Sequence, residues 1–131
     1  MIKNTLFGTI TKMWNVEDLK VWDGSIKLAK NIYFLIKHNP NIQRDFWLKE
    51  QLQKSAISVA SNIAEWCNRW TDKEFIRFLY IARWSCSELK TQLIISKEIA
   101  YIEKTICDKL CADIDNINKM INGLIQKLSK H

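Results

Sequence analysis

The chain has 131 residues and a formal net charge of +6, with 20 Lys and Arg against 14 Asp and Glu. That length buries a real core without disulfides or metal, and a hydrophobic share of 47% beside a charged share of 26% excludes wholesale disorder. Only 3 Gly and 1 Pro are present, too few for the turns of sandwiches and barrels, so long uninterrupted helices are expected.

Residues 1–15 are weakly patterned and read as an N-terminal arm, ahead of one bundle domain over residues 16–131. The first strong helix is predicted from Val16 to Lys37. Leu19, Trp22, Ile26, Ala29, Ile32, Tyr33 and Ile36 recur at spacings of three and four, which places them on one face. Glu17 and Asp18 occupy the first turn, where the positive end of the helix dipole favours carboxylates. Asn39-Pro40-Asn41 ends this helix.

A second helix is predicted from Ile42 to Asn68, with Leu48, Leu52, Ala56, Val59, Ile63 and then Trp66 or Cys67 facing inward. Small residues from Ser55 to Ala64 suit a close crossing. The third helix opens at Thr71, with Glu74 three residues on, the pattern of a capping box. Phe75, Phe78, Leu79, Ala82, Cys86, Leu89 and Leu93 carry its stripe to about Ile99. The fourth helix runs from Glu103 to Ser129, with Ile106, Leu110, Ile114, Ile117, Ile121, Leu124 and Leu128 inward. Four amphipathic segments with short connections pack as an all-α, antiparallel up-down-up-down four-helix bundle.

Catalytic chemistry is disfavoured. The two histidines, His38 and His131, fall in a predicted loop and at the terminus, so no nucleophile–base pair forms. Glycine-rich phosphate loops and Glu-x-x-His pairs are absent. The four cysteines, Cys67, Cys86, Cys107 and Cys111, contain no Cys-x-x-Cys pair, so no metal or other cofactor is expected and they read as small apolar residues in a reducing compartment. No apolar run approaches the roughly 20 residues that cross a bilayer, and no secretory leader is seen, which predicts a cytoplasmic protein without membrane contact.

The positive charge has two readings, a solubilising surface or a nucleic-acid footprint. Glu65 and Glu88 are expected to be partly buried and to pair with Arg69, Arg77 or Arg83 across the crossing of the second and third helices. Alternatively those arginines, with Lys54 and Lys73, face phosphates. Trp66, Trp70, Phe75, Phe78, Tyr80 and Trp84 interleave with these cations, an arrangement that stacks single-stranded bases or simply packs the core.

Several segments carry a resemblance: Val16-Glu17-Asp18-Leu19-Lys20-Val21-Trp22, Ser61-Asn62-Ile63-Ala64-Glu65, Lys73-Glu74-Phe75-Ile76-Arg77-Phe78-Leu79 and Ser87-Glu88-Leu89-Lys90-Thr91-Gln92-Leu93. Over residues 16–128 the chain resembles the four-helix bundle proteins encoded in intervening sequences of 23S ribosomal RNA genes. The resemblance implies a homopentameric ring, a basic surface that contacts RNA or DNA, and no catalytic residues. It also reaches a branch that serves diversity-generating retroelements as an accessory partner of a reverse transcriptase. Trp22, Asn62, Glu65, Phe75 and Glu88 match positions of structural weight. A protein-interaction scaffold with no nucleic-acid role is the rival reading.

Trp47, Trp66, Trp70 and Trp84 stand where proteins of this kind usually carry Gly, and Trp14 is a possible fifth case. A source that reads UGA as glycine, translated as though UGA meant tryptophan, would produce this departure. Each indole is then expected to overpack a close helix contact, at about 1–3 kcal/mol per site.

Overall fold

The computed structural model describes residues 16–65 and 71–130. Within them lie α1 (Val16–Lys37), the short α2 (Pro40–Arg44), α3 (Phe46–Ala64), α4 (Asp72–Glu98) and α5 (Lys104–Ser129). The four long helices alternate in direction. α1 packs on α3 and α5, and α4 packs on the same two, closing an antiparallel four-helix bundle. Residues 1–15, the predicted arm, lie outside the described residues.

The ends of the helices follow from local chemistry. Thr71 caps α4 as its Oγ1 accepts from the Glu74 N–H at 3.1 Å, the Thr half of the predicted box. The C-terminus of α4 closes by a left-handed residue, Ala100 at φ 63°, after which the Tyr101 N–H reaches back to the Ser96 carbonyl at 2.8 Å.

The predicted second helix is split. Asn39 caps α2, accepting from the Ile42 N–H at 3.0 Å, with Pro40 at the first helical position. Asp45 interrupts the run with φ −93°, ψ 83° and caps α3, accepting from the Leu48 N–H at 3.1 Å. Both corners are tied to the α4–α5 turn, since Asn39 Nδ2 donates to the Tyr101 carbonyl and the Tyr101 hydroxyl to Asp45 Oδ2. A local cap and a long-range tether together outweigh helix continuity. The predicted far end of this helix, with Trp66 and Cys67, lies outside the described residues.

The inward stripes of α3 and α4 match expectation, except that Phe78 is half-buried. On α1, Ile26 and Tyr33 are each 41% exposed, and Val21, Ser25 and Leu28 are buried instead. Ser25 hid the true line: its Oγ donates to the Trp22 carbonyl at 2.6 Å, so a polar residue is buried without an unmet hydroxyl. On α5 the same substitution of neighbours occurs, with Cys107 buried and Ile106 exposed. Leu128 packs against the core from a half-buried position.

Candidate nucleic-acid interface

The inward line of α4 decides its outward one. With Phe75, Leu79, Ala82, Cys86, Leu89 and Leu93 buried, the opposite face carries Lys73, Arg77, Tyr80 and Trp84 at spacings of four, three and four. Lys73 and Arg77 are exposed. The Arg77 guanidinium lies over the Phe78 ring at 5.5 Å. Arg83 flanks the line on the α5 side. It stacks on half-buried Tyr80 at 4.7 Å and donates from Nη1 to Asn122 Oδ1 at 2.8 Å, which orders the cation at the edge of the line. Lys90 bridges the same seam to Asp115 at 2.8 Å, and that hydrogen bond raises the lysine pKa above its ordinary value.

Lys54 is exposed on α3 but stands apart from this group. The contact of Ser58 Oγ with Ser85 Oγ at 2.7 Å sets the register of the antiparallel pair. Lys54 therefore lies beside the turn after Ser85, about 18 Å along the axis from Arg77 at 1.5 Å per residue. Arg69 lies outside the described residues. Lys73, Arg77 and Arg83 are thus brought together on one helix, and Lys54 is not.

The expected ion-pair crossing is corrected in two respects. Glu88 is exposed rather than partly buried, because it lies on the outer half of α4. Arg83 bonds an amide of α5 rather than a carboxylate of α3. Glu65 is half-buried, at the C-cap of α3. Ser58 Oγ meets Ser85 Oγ across the α3–α4 seam, and within α3 Asn62 Nδ2 donates to the Ser58 carbonyl at 2.8 Å and to Ser58 Oγ at 3.1 Å. Trp22 and Phe75 are buried in the core.

Trp47 and Trp84 do not overpack anything. They are 70% and 62% exposed, so the strain expected of an indole between helices has no basis at these two positions. Trp66 and Trp70 lie outside the described residues.

A second feature escaped the sequence reading. Along the α1–α5 seam, concavities of about 400, 320 and 520 Å³ follow one another, joined by the shared lining residues Met120, Asn31 and Lys109. Gly24 and Gly123 both line this groove. Two of the chain's three glycines on facing helix stripes were the available signal.

Two of the cysteines sit where burial disfavours the thiolate. Burial pushes the Cys86 thiol up to about 12 and the Cys111 thiol up to about 11. Cys107 Sγ lies 3.9 Å from Cys111 Sγ and donates to the Leu93 carbonyl at 3.6 Å. Among the described residues no group of three or more His, Cys, Asp or Glu side chains is placed to hold a metal ion. No helix among them is long and apolar enough to cross a membrane.

Residues 17–123 match the family model described as 23S rRNA-intervening sequence protein. Among solved structures the chain is similar to a protein of unknown function from the S23 ribosomal protein family of Bacteroides thetaiotaomicron. The two share 28% identity and a TM-score of 0.79, over 85% of this chain and 99% of that one. No curated protein matches the chain.

Proposed function

The chain belongs to the 23S rRNA-intervening sequence protein family, and we propose that it works as a non-enzymatic, oligomeric helical module that binds nucleic acid through the outer face of α4. The observation that carries this reading is the exposed line of Lys73, Arg77 and Trp84 on α4, flanked by half-buried Tyr80 and Arg83, in a chain with net charge +6. From Lys73 to Trp84 the helix holds three cations and one carboxylate, Glu74. Arg83 is held in place before any ligand arrives, which lowers the entropy lost when it meets a phosphate.

Fluorescence anisotropy of labelled RNA and DNA against the full chain tests the reading. Binding weakens linearly in log affinity against log salt, and Lys73→Gln with Arg77→Gln reduces that slope by about 0.7–0.9 per removed contact. A chain that binds neither polymer, or binds without a salt slope, refutes it. We place the protein in the cytoplasm as a homo-oligomer, a pentamer by its family resemblance, and native mass spectrometry counts the subunits. Service as an accessory of a reverse transcriptase belongs to the same proposal. A reverse transcriptase gene beside the coding sequence supports that role, and a position inside a ribosomal RNA operon supports the intervening-sequence role.

A scaffold with no nucleic-acid role is the second reading, favoured by the apolar groove between α1 and α5 and by exposed Phe34 and Ile106 at one end of it. Co-purification of a protein partner that survives nuclease treatment, with no oligonucleotide affinity, selects it.

A further inference from the structure

We propose that the α4 stripe selects single-stranded nucleic acid, one unpaired base stacking on the Trp84 indole while Arg77 and Lys73 meet the phosphates of the nucleotides beside it. This rests on the nucleic-acid reading above and adds the class of strand that the stripe takes.

The argument starts from exposure. An indole that is 62% exposed in the middle of a long helix leaves a large apolar ring in water. Core packing does not require it there, since the buried line passes through Ala82 and Cys86 on the other side. The cations arranged around it decide what such a ring suits. Arg83, its neighbour in sequence, is pinned between the Tyr80 ring and Asn122. Arg77 and Lys73 follow on the same face, about 10 and 16 Å away along the axis. A flat π surface at the end of a row of positive charges matches a polymer that alternates flat bases with phosphates.

A duplex does not use this geometry. Its bases are stacked on one another and present only their edges, so Trp84 would meet backbone and contribute little. A single strand presents base faces, and stacking on an aromatic ring is worth about 1–3 kcal/mol per base whatever the base. Exposed Glu88 one turn beyond Trp84 and exposed Asp72 beside Lys73 bound the row at its two ends, which limits it to a short stretch of strand.

The experiment is anisotropy with three probes: a labelled oligothymidylate, the same strand with abasic sites, and a labelled duplex of equal length. The expected result is that the full chain prefers the intact single strand. Trp84→Ala then weakens that strand about 5- to 150-fold, the stacking energy converted to affinity, and leaves the duplex unchanged. Trp84→Phe keeps most of the preference, which separates loss of stacking from loss of folding, and circular dichroism checks the helix content of each variant. The abasic strand binds the unaltered chain about as weakly as the intact strand binds Trp84→Ala. If Trp84→Ala binds the single strand as well as the unaltered chain does, or if the duplex is preferred, the stacking proposal is overturned while nucleic-acid binding stands. If no probe binds, the underlying reading itself falls. The gene adds an independent check: UGG at codon 84 supports the proposal, and a UGA codon read as glycine in the source overturns it.

Discussion

Along the α3–α4 seam, Ser58 and Ser85 meet hydroxyl to hydroxyl at 2.7 Å, with Ala56, Val59, Ala82 and Cys86 buried around them. Along the α1–α5 seam, on the opposite side of the bundle, a Cβ added at Gly123 would meet nothing within 4 Å, and one at Gly24 would only touch the Met120 and Ile117 side chains at 3.7 and 3.8 Å. Small residues occur in both places with opposite consequences. Ser and Ala let two backbones close, and the remaining hydroxyls bond each other across the contact. Glycine on facing stripes removes side-chain volume without closing the helices, and a groove is left. Small side chains therefore signal tight packing only where the partner helix moves in to use the space.

Substitutions that change volume break this comparison most strongly. Leu89→Ala, at a fully buried position of α4, costs about 2–5 kcal/mol by cavity formation, whereas Ile106→Ala at the lip of the groove stays within about 0.5 kcal/mol. Urea denaturation of the two variants reads the difference. Ala82→Leu, which adds volume on the closed side, lowers stability by about 1–3 kcal/mol in the same assay.

Alkaline titration addresses the closed side by charge. Cys86 has a folded pKa near 12 against an ordinary value of 9.0, so the folded state holds its proton longer than the unfolded state. Its contribution is fully present below pH 9 and is lost as pH rises toward 12. The slope contributed is at most about 1.4 kcal/mol per pH unit. Cys86→Ala flattens the decline measured by denaturant midpoints between pH 9 and 11. An unaltered slope would mean that other groups dominate.

The open side responds in the opposite sense. Gly123→Ala stabilises by about 0.5–1 kcal/mol, because the new methyl group enters empty space and the unfolded chain loses freedom, so the melting temperature rises. The smallest effect is expected at Trp47→Gly. With its indole 70% exposed there is no overpacking to relieve, and glycine's poorer helix propensity lowers stability by roughly 0.5 kcal/mol. A clear rise in melting temperature for this variant would reinstate the overpacking account.

Legibility in the sequence tracked how local the cause was. The bounds of α1, α4 and α5 were readable because caps, first-turn carboxylates and periodicity act within a few residues, as at Thr71 and Glu74. The break at Asp45 was not, since it depends on a tether to Tyr101 that is 56 residues away. On α1, Trp22, Ile32 and Ile36 face inward as expected, while Ile26 was chosen in place of its neighbour Ser25, which looks polar until its bond to Trp22 is seen. At the candidate interface, the structure puts Lys73 and Arg77 on one exposed face of α4, while Lys54, named with them from the sequence, is carried away by the register of α3 on α4.

The sequence alone determined four helical stripes, their order and the all-α class, because burying apolar periodicity is a demand each segment makes by itself. It also determined an excess of positive charge with aromatic residues between the cations. Only the tertiary structure decided which cations share a face, which tryptophans meet solvent, and which seam closes and which stays open. Those outcomes depend on the register and approach of helices distant in sequence, and no single helix carries that information.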